Sequence, residues 1–186
     1  MADTPNIRTI HAGRWVHYRV VDVPDGFGRI REWEYVDRAG MQPGALAIPI
    51  CRPSGDVILI RQYRPPLGAD AVEFPAGLVD EGETPAQAAI RELREETGYR
   101  GEADRVSARV GSSCGLTSEQ VYLVDVEIDE NHPENRDPQP MRTIGEQTTV
   151  LRVPYDELAG RLEAWAARGW VVDARVWAWV TGGVGR

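Results

Sequence analysis

The clearest pattern along the chain is a series of short segments in which hydrophobic and polar residues alternate, as they do in half-buried strands. Residues 14–23 and 29–36 have this pattern, and the turn-forming residues Asp25, Gly26 and Gly28 separate them. The two segments therefore predict an antiparallel strand pair. Further along the chain, a hairpin is predicted from residues 45–51 and 56–63, and three more strands from residues 105–111, 119–128 and 148–154.

Helical spacing of apolar residues marks three segments. The first covers residues 85–97, where Thr84 suits an N-cap, Pro85 suits the first turn and Gln87 completes a capping box. Gly98 is a typical helix stop. At about 100° per residue, this helix has a largely apolar stripe formed by Ala86, Ala89, Ile90, Leu93 and Thr97. Two further helices are predicted at about 155–169 and 173–181.

Strands and helices mixed in this order predict an α/β or α+β fold with a mixed sheet. The first strand pair precedes a core that begins near Gly44, so we expect an N-terminal strand segment at 1–43 and a catalytic domain at 44–186. A polar, proline-rich stretch at 129–145 is long enough to be a functional loop.

Composition narrows the classes of protein. With 186 residues the chain can bury a proper core, and a net charge of −8 argues against a nucleic-acid-binding surface. Neither a membrane-spanning apolar run nor a signal peptide is indicated. Cys51 and Cys114 are too few for a disulfide framework or a zinc site, and Cys51 is expected to be a buried thiol. A cytoplasmic location is therefore expected.

Three carboxylates, Glu92, Glu95 and Glu96, share one flank of the first helix. Like charges at this spacing destabilise an isolated helix. One interpretation is a solvated acidic face. The other is a site for a hard cation such as Mg²⁺, which binds carboxylate oxygens and completes its shell with water and substrate phosphates.

The order of residues around this cluster favours the second interpretation. The segment GLVDEGETPAQAAIRELREETGY (77–99) resembles the signature of the Nudix hydrolases at Gly77, Glu83, Arg91, Glu92, Leu93, Glu95, Glu96, Gly98 and Tyr99. Ordinary residue frequencies give roughly one chance match per billion start positions. The resemblance implies a Nudix α/β/α sandwich that hydrolyses a nucleoside diphosphate linked to another group, with Mg²⁺ or possibly Mn²⁺.

Segments outside the signature resemble the ADP-ribose and ADP-sugar pyrophosphatases. These segments are GRWV (13–16), REWEYV (31–36), RQYRPPLGADAVEFPAGLVDEGETP (61–85), CGLTSE (114–119), GEQTTVLRV (145–153) and VVDARVWAW (171–179). The resemblance implies that an ADP-sugar is cleaved to AMP and a sugar phosphate. It also implies a homodimer in which the N-terminal strands are exchanged between subunits.

Within that resemblance, the metal ligands are Glu92, Glu95, Glu96 and the carbonyl oxygen of Ala76. Gly77, Glu83 and Arg91 are assigned to support of the site, because an arginine near several carboxylates can hold them in place. The catalytic residues are Glu95 and the general base Glu146, which lies on a loop outside the signature; Glu119 is the rival for the base.

The same resemblance assigns substrate binding to Trp15, Trp33, Arg64, Glu73 and Leu116. The two tryptophans would clasp the adenine by stacking, and Arg64 would bind a phosphate with its planar fork. Arg61 is an odd number of residues from Arg64 and should face the other side of the strand. Glu32 departs from the subfamily pattern and puts a charge near the base. Trp165, Trp177 and Trp179 are expected in the core.

Two other functions remain open from the sequence. One is hydrolysis of an oxidised nucleoside diphosphate or triphosphate. The other is a module that binds ADP-ribose without cleaving it, although such a sensor would be expected to have lost metal-binding carboxylates that this chain retains.

Overall fold

A computed structural model describes residues 6–141 and 148–182. Three helices and two sheets make up this part of the chain. The strands are β1 Ile7–Ala12, β2 Val16–Pro24, β3 Ile30–Arg38, β4 Gly44–Arg52, β5 Val57–Arg64, β6 Ala69–Glu73, β7 Ala76–Leu78, β8 Glu102–Val106, β9 Val110–Gly111, β10 Gln120–Asp129, β11 Thr149–Val153 and β12 Val171–Val172, and the helices are α1 Pro85–Thr97, α2 Tyr155–Ala166 and α3 Ala174–Thr181.

The N-terminal sheet is antiparallel with the order β1-β2-β3. The predicted strand pair forms β2 and β3, but the sequence prediction missed β1. The sequence of this strand lacks a clean alternation, its register with β2 shifts between Thr9 and His11, and all six of its residues are exposed. Pairing with β2, rather than a buried face, therefore defines it.

The larger sheet is mixed and has the order β12-β6-β5-β4-β10-β8, with β11 on β5, β7 on β4 and β9 on β10. The prediction of a single strand at 105–111 is wrong, because the structure has two separate strands in this region, β8 and β9. Between them, the Ser107 hydroxyl accepts from the backbone N–H of Leu123 at 2.9 Å and takes the place of a ladder bond. The short strands β6, β7 and β12 were not predicted, because two to five residues carry little periodicity.

Helices cover both faces of this sheet, which confirms the predicted α/β/α sandwich. On one face, α1 buries Ala88, Ala89 and Leu93 against residues of β4 and β10. The predicted apolar stripe included Ala86 and Ile90, which are only partly buried, whereas Ala88 is fully buried. The packed face of α1 is therefore rotated toward Glu92, and this rotation brings the acidic flank to the edge of the core.

On the opposite face, α2 and α3 pack around Phe74. Trp179 is buried there and meets the rings of Phe74 and Tyr155 edge to face, at centroid distances of 5.8 and 5.3 Å. Trp165 and Trp177 pack against the same cluster, as expected. Helix α2 ends three residues before its predicted end, in a turn that closes at Gly169 with a φ of +87°. No helix in the described ranges is long and apolar enough to cross a membrane.

Candidate active site

Helix α1 is held at both ends by the local signals read from the sequence. The Thr84 hydroxyl accepts from the Gln87 backbone N–H, and the Gln87 side chain accepts in return from the Thr84 backbone N–H at 2.8 Å. Gly98 adopts the left-handed conformation and donates to the Arg94 carbonyl. The predicted boundaries are confirmed, so the spacing of the helix carboxylates is set locally.

Two of these carboxylates converge on the strand β7. Glu96 Oε2 accepts from the backbone N–H of Ala76 at 3.1 Å. A Cβ atom built on Gly77 would lie 1.9 Å from Glu92 Oε1, so only glycine leaves room for that carboxylate. The Glu92 side chain is only 15% exposed. Glu92 and Glu96 therefore meet the backbone at Ala76 and Gly77, two residues that the sequence analysis assigned to the site.

Arg91 ties this cluster together. Its Nε and Nη2 donate to the two oxygens of Glu83, each at 3.0 Å, and its Nη1 donates to Glu92 Oε1 at 2.6 Å. Glu95 Oε2 is 3.6 Å from the same Nη1. The hydrogen bond from Arg91 lowers the pKa of Glu83. The guanidinium offsets the repulsion among the carboxylates, which is the kind of contact that a supporting role for Glu83 and Arg91 would require.

The donor set suits a hard divalent cation. Glu92, Glu95, Glu96 and the Ala76 carbonyl offer only oxygen atoms, and Gly77 leaves space for one of the carboxylates. Within residues 6–141 and 148–182, no three Asp, Glu, His or Cys side chains stand ready as a metal cage. Mg²⁺ does not require a preformed cage, since water and substrate phosphates complete its shell around a few carboxylates. The residues present therefore fit such an ion.

Arg64 and Glu73 form a pair on adjacent strands. Arg64 Nε donates to both Glu73 oxygens at 2.9 and 3.2 Å, and Gln62 Nε2 donates to Glu73 at 3.1 Å. Sequence analysis treated the two as separate substrate contacts and missed this pairing, which depends on the β5–β6 register. Arg61 lies elsewhere, over the ring of Trp170 at 4.7 Å, as the odd offset from Arg64 predicts.

The N-terminal sheet contacts the loop that carries Leu116. Trp33 Nε1 donates to the Gly115 carbonyl at 3.1 Å, and the Val36 backbone N–H donates to the Leu116 carbonyl at 2.9 Å. Trp15 and Leu116 are 68% and 61% exposed, which leaves their side chains accessible to a ligand. Trp33, although tethered, is still 41% exposed.

Of the two candidates for the general base, only Glu119 lies in the described part of the chain. It binds Arg38 Nη2 at 3.1 Å. Burial would raise the pKa of Glu119, but hydrogen bonds from Arg38 and Ser112 and the charge of Arg175 lower it overall. A carboxylate held in this way is a poor proton acceptor. Glu146 lies outside the described residues. Arg38 itself was missed, since nothing in its local sequence distinguishes it.

Comparison with known proteins agrees with this geometry. The NUDIX domain model matches residues 40–179. The chain is 38% identical to the ADP-sugar pyrophosphatase of Mus musculus over 178 residues, covering 91% of this chain and 82% of the mouse protein. It is 31% identical to the ADP-ribose pyrophosphatase of Saccharomyces cerevisiae, covering 88% and 74% of the two chains.

A solved structure described as an ADP compounds hydrolase superposes with a TM-score of 0.66 at 25% identity, covering 86% of this chain and 82% of that one. The matched family region spans the whole carboxylate cluster from Ala76 to Glu96. The chain therefore belongs to the Nudix family.

Proposed function

We propose that this protein hydrolyses the pyrophosphate of ADP-ribose and related ADP-sugars to AMP and a sugar phosphate, with Mg²⁺ as the preferred ion. The observation that carries the proposal is the convergence of Glu92 and Glu96 on Ala76 and Gly77. The mouse and yeast relatives, which are ADP-sugar and ADP-ribose pyrophosphatases, support the substrate class.

In this proposal each group of residues has a separate task. A divalent ion bound by Glu92, Glu95, Glu96 and the Ala76 carbonyl would neutralise pyrophosphate oxygens and lower the pKa of the attacking water. Arg91 keeps the carboxylates in place. Arg64, held at its Nε by Glu73, can turn its remaining N–H groups toward a phosphate.

Glu146 is assigned as the general base that accepts the proton of the attacking water. Its rival Glu119 is engaged with Arg38, and hydrogen bonds from Arg38 and Ser112 lower its pKa against the effect of burial, which makes it the weaker candidate. Adenine would stack on Trp15 and Trp33, both of which remain exposed in the single chain. Leu116 borders the same surface, and Glu32 would influence which base or sugar is preferred.

We also propose a homodimer in which residues 1–43 complete the substrate pocket. Exposed apolar residues are concentrated in the N-terminal sheet and the segments beside it, namely Ile7, Ile10, Trp15, Val16, Phe27, Ile30 and Trp33. Such a surface is typical of an interaction site. A reducing compartment such as the cytoplasm fits two free cysteines, buried Cys51 and exposed Cys114.

A product assay tests the proposed activity. The protein would be incubated with Mg²⁺ and ADP-ribose, other ADP-sugars, NADH or 8-oxo nucleotides, and the products separated by chromatography. We expect AMP and ribose phosphate from ADP-ribose at the highest kcat/KM. Turnover of 8-oxo nucleotides alone would contradict the proposal. Binding of ADP-ribose without turnover would indicate a sensor instead.

A further inference from the structure

A buried glutamine, Gln62, takes part in the contact between Arg64 and Glu73, and the function proposed above gives it no role. Gln62 lies on β5 and is only 9% exposed. Its Nε2 donates to Glu73 Oε2 at 3.1 Å. Because an ionised carboxylate can only accept hydrogen bonds, the amide must present its NH2 group to Glu73. Burying an amide is costly unless it is hydrogen-bonded, so the bond to Glu73 accounts for a glutamine at this position.

The register of β5 and β6 explains why these side chains meet. The residues opposite Gln62 and Arg64 on β6 are two alanines, Ala71 and Ala69. Their short side chains leave space on that face of β6. The carboxylate of Glu73 can therefore reach both Gln62 and Arg64, although Glu73 lies two residues beyond Ala71 on the strand.

The three side chains lie on the same side of the large sheet as α1. Side chains alternate along a strand, so Gln62 and Arg64 point to the same side as Ile58. Ile58 is buried in the core cluster that contains Leu93 of α1. A diphosphate bound at the acidic flank of α1 would therefore lie on the side of the sheet to which Arg64 points.

The contacts of Arg64 leave most of its guanidinium available. Its Nε donates to both oxygens of Glu73, at 2.9 and 3.2 Å, and in the described part of the chain neither Nη1 nor Nη2 makes a hydrogen bond. The side chain of Glu73 is 14% exposed and that of Arg64 is 45% exposed. A guanidinium and a carboxylate commonly form two parallel bonds through two nitrogens, whereas here Arg64 uses one nitrogen.

We propose that Gln62 is a positioning residue that holds Glu73 Oε2 and thereby keeps the terminal nitrogens of Arg64 free for the substrate diphosphate. Without the amide, Oε2 loses its second donor, and the carboxylate is drawn into a two-pronged pairing with Nε and Nη2 of Arg64. That pairing removes one nitrogen from the phosphates. The inference rests on the proposed pyrophosphatase function, in which Arg64 binds a phosphate.

Binding of ADP-ribose without divalent metal ions tests the proposal apart from catalysis. We expect Gln62→Met, which has a similar length but no donor, to weaken binding about tenfold in isothermal titration, since a hydrogen bond to a charged group is lost. With Mg²⁺, KM should rise by a similar factor while kcat changes less than about threefold. Tyr63→Phe is the matched control, because Tyr63 lies on the same strand but faces the other side and is 59% exposed. Its Kd and KM should equal those of wild type.

A double-mutant cycle with Arg64 separates this role from packing of the core. Gln62→Met added to Arg64→Met should change the Kd by less than about twofold, because the nitrogens that Gln62 keeps free are gone. Equal weakening in both backgrounds would overturn the inference, and so would a wild-type Kd with a lowered Tm. Should Gln62→Met fail to fold, Gln62→Asn carries the same comparison, because its amide is too short to reach Glu73.

Failure of this inference and failure of the proposed function give different results. A wild-type protein that binds ADP-ribose without cleaving it would remove the proposed function, and the binding comparison would still decide the role of Gln62. A wild-type protein that cleaves ADP-ribose, together with a Gln62→Met variant of wild-type Kd and KM, would overturn only the role of Gln62.

Discussion

At the scale of single residues, the site depends on carboxylates kept close together against their mutual repulsion. Glu92 and Glu96 lie one helical turn apart on α1, and both are partly buried at β7. Arg91 provides the counter-charge through its bonds to Glu83 and Glu92. An arrangement that costs stability locally is characteristic of a functional site rather than of a solvated helix face.

Replacing one of these carboxylates should separate activity from stability. We expect Glu92→Gln and Glu96→Gln to lower kcat severely, by about a hundredfold or more, since each removes a proposed ion ligand. Thermal unfolding should be unchanged or shifted upward, because carboxylate repulsion is relieved. Glu163→Gln on the exposed face of α2 is the control. Near wild-type turnover of either site variant at saturating Mg²⁺ would show that the site is misassigned.

The proposed base makes a different kinetic prediction. Glu146→Gln should lose about 10²–10⁴-fold in kcat, the usual contribution of a general base, while ADP-ribose affinity is retained. The loss arises because the proton is taken in the transition state and not in the ground state. Rate measurements and isothermal titration with the variant check both quantities. A loss below tenfold would move the role to Glu119 or another carboxylate.

At the scale of elements, the contact of α1 with β7 depends on one glycine. Gly77→Ala would put a methyl group 1.9 Å from Glu92 Oε1. The end of a flexible side chain can move away, so the fold should tolerate the change, with a Tm within a few degrees of wild type. The displaced carboxylate should nevertheless lower kcat by about tenfold or more, measured with ADP-ribose and Mg²⁺.

A second glycine provides the control for this substitution. Gly160 lies within α2, and nothing stands within 4 Å of a Cβ atom added there. Gly160→Ala should leave kcat unchanged and stabilise the protein by about 0.5–1 kcal/mol, because alanine loses less backbone entropy on folding. Equal activity of the two alanine variants would contradict the proposed packing of Glu92 on Gly77.

The turn after β10 is joined to the β4–β5 hairpin and to β11 through Glu130. Its carboxylate accepts from the Ser54 backbone N–H at 2.8 Å and pairs with Arg152. The bond from Ser54, with further help from Arg152, lowers the pKa of Glu130, although burial opposes the shift. This carboxylate therefore connects three segments that are far apart in the sequence.

A lowered pKa in the folded state means that Glu130 stabilises the protein above its unfolded pKa, and that this stability is lost as the pH falls through the folded pKa. Glu130→Gln should cost about 1–3 kcal/mol of unfolding free energy at pH 7, as expected for hydrogen bonds to a charged group. The difference from wild type should shrink below the ordinary glutamate pKa of about 4.3. Urea unfolding between pH 3 and 7 measures it, and a difference independent of pH would contradict the assignment.

At the scale of the whole molecule, the N-terminal sheet is the part that a single chain leaves incomplete. Val20 is its only fully buried apolar residue within the described ranges, whereas Phe27 and Ile30 are largely exposed. A small sheet needs another surface to bury its apolar face, and a two-fold partner is the commonest solution. The proposed dimer follows from this imbalance.

Substitution of Trp33 tests whether the N-terminal sheet of the proposed dimer contributes to adenine binding. Trp33→Ala should raise KM for ADP-ribose by about 5–150-fold, since stacking on a base is worth about 1–3 kcal/mol, with a smaller effect on kcat. Trp33→Phe keeps an aromatic ring but loses the bond to Gly115, so it separates stacking from that contact. Light scattering should give twice the mass of the 20.7 kDa chain. A fully active monomer would overturn the dimer and leave the pyrophosphatase proposal standing.

The sequence by itself determined α1, its carboxylates and the family, because caps, helical spacing and the order of signature residues are local properties. Tertiary structure decided what depends on pairing between distant segments: the strands β1, β6, β7 and β12, the division of residues 105–111, and the Arg64–Glu73 pair. Strands as short as β7 and β12 have too few side chains to show a period, and they form only because a neighbouring strand satisfies their backbone. Likewise, an arginine shows its counter-charge only after the sheet register has brought the two side chains together.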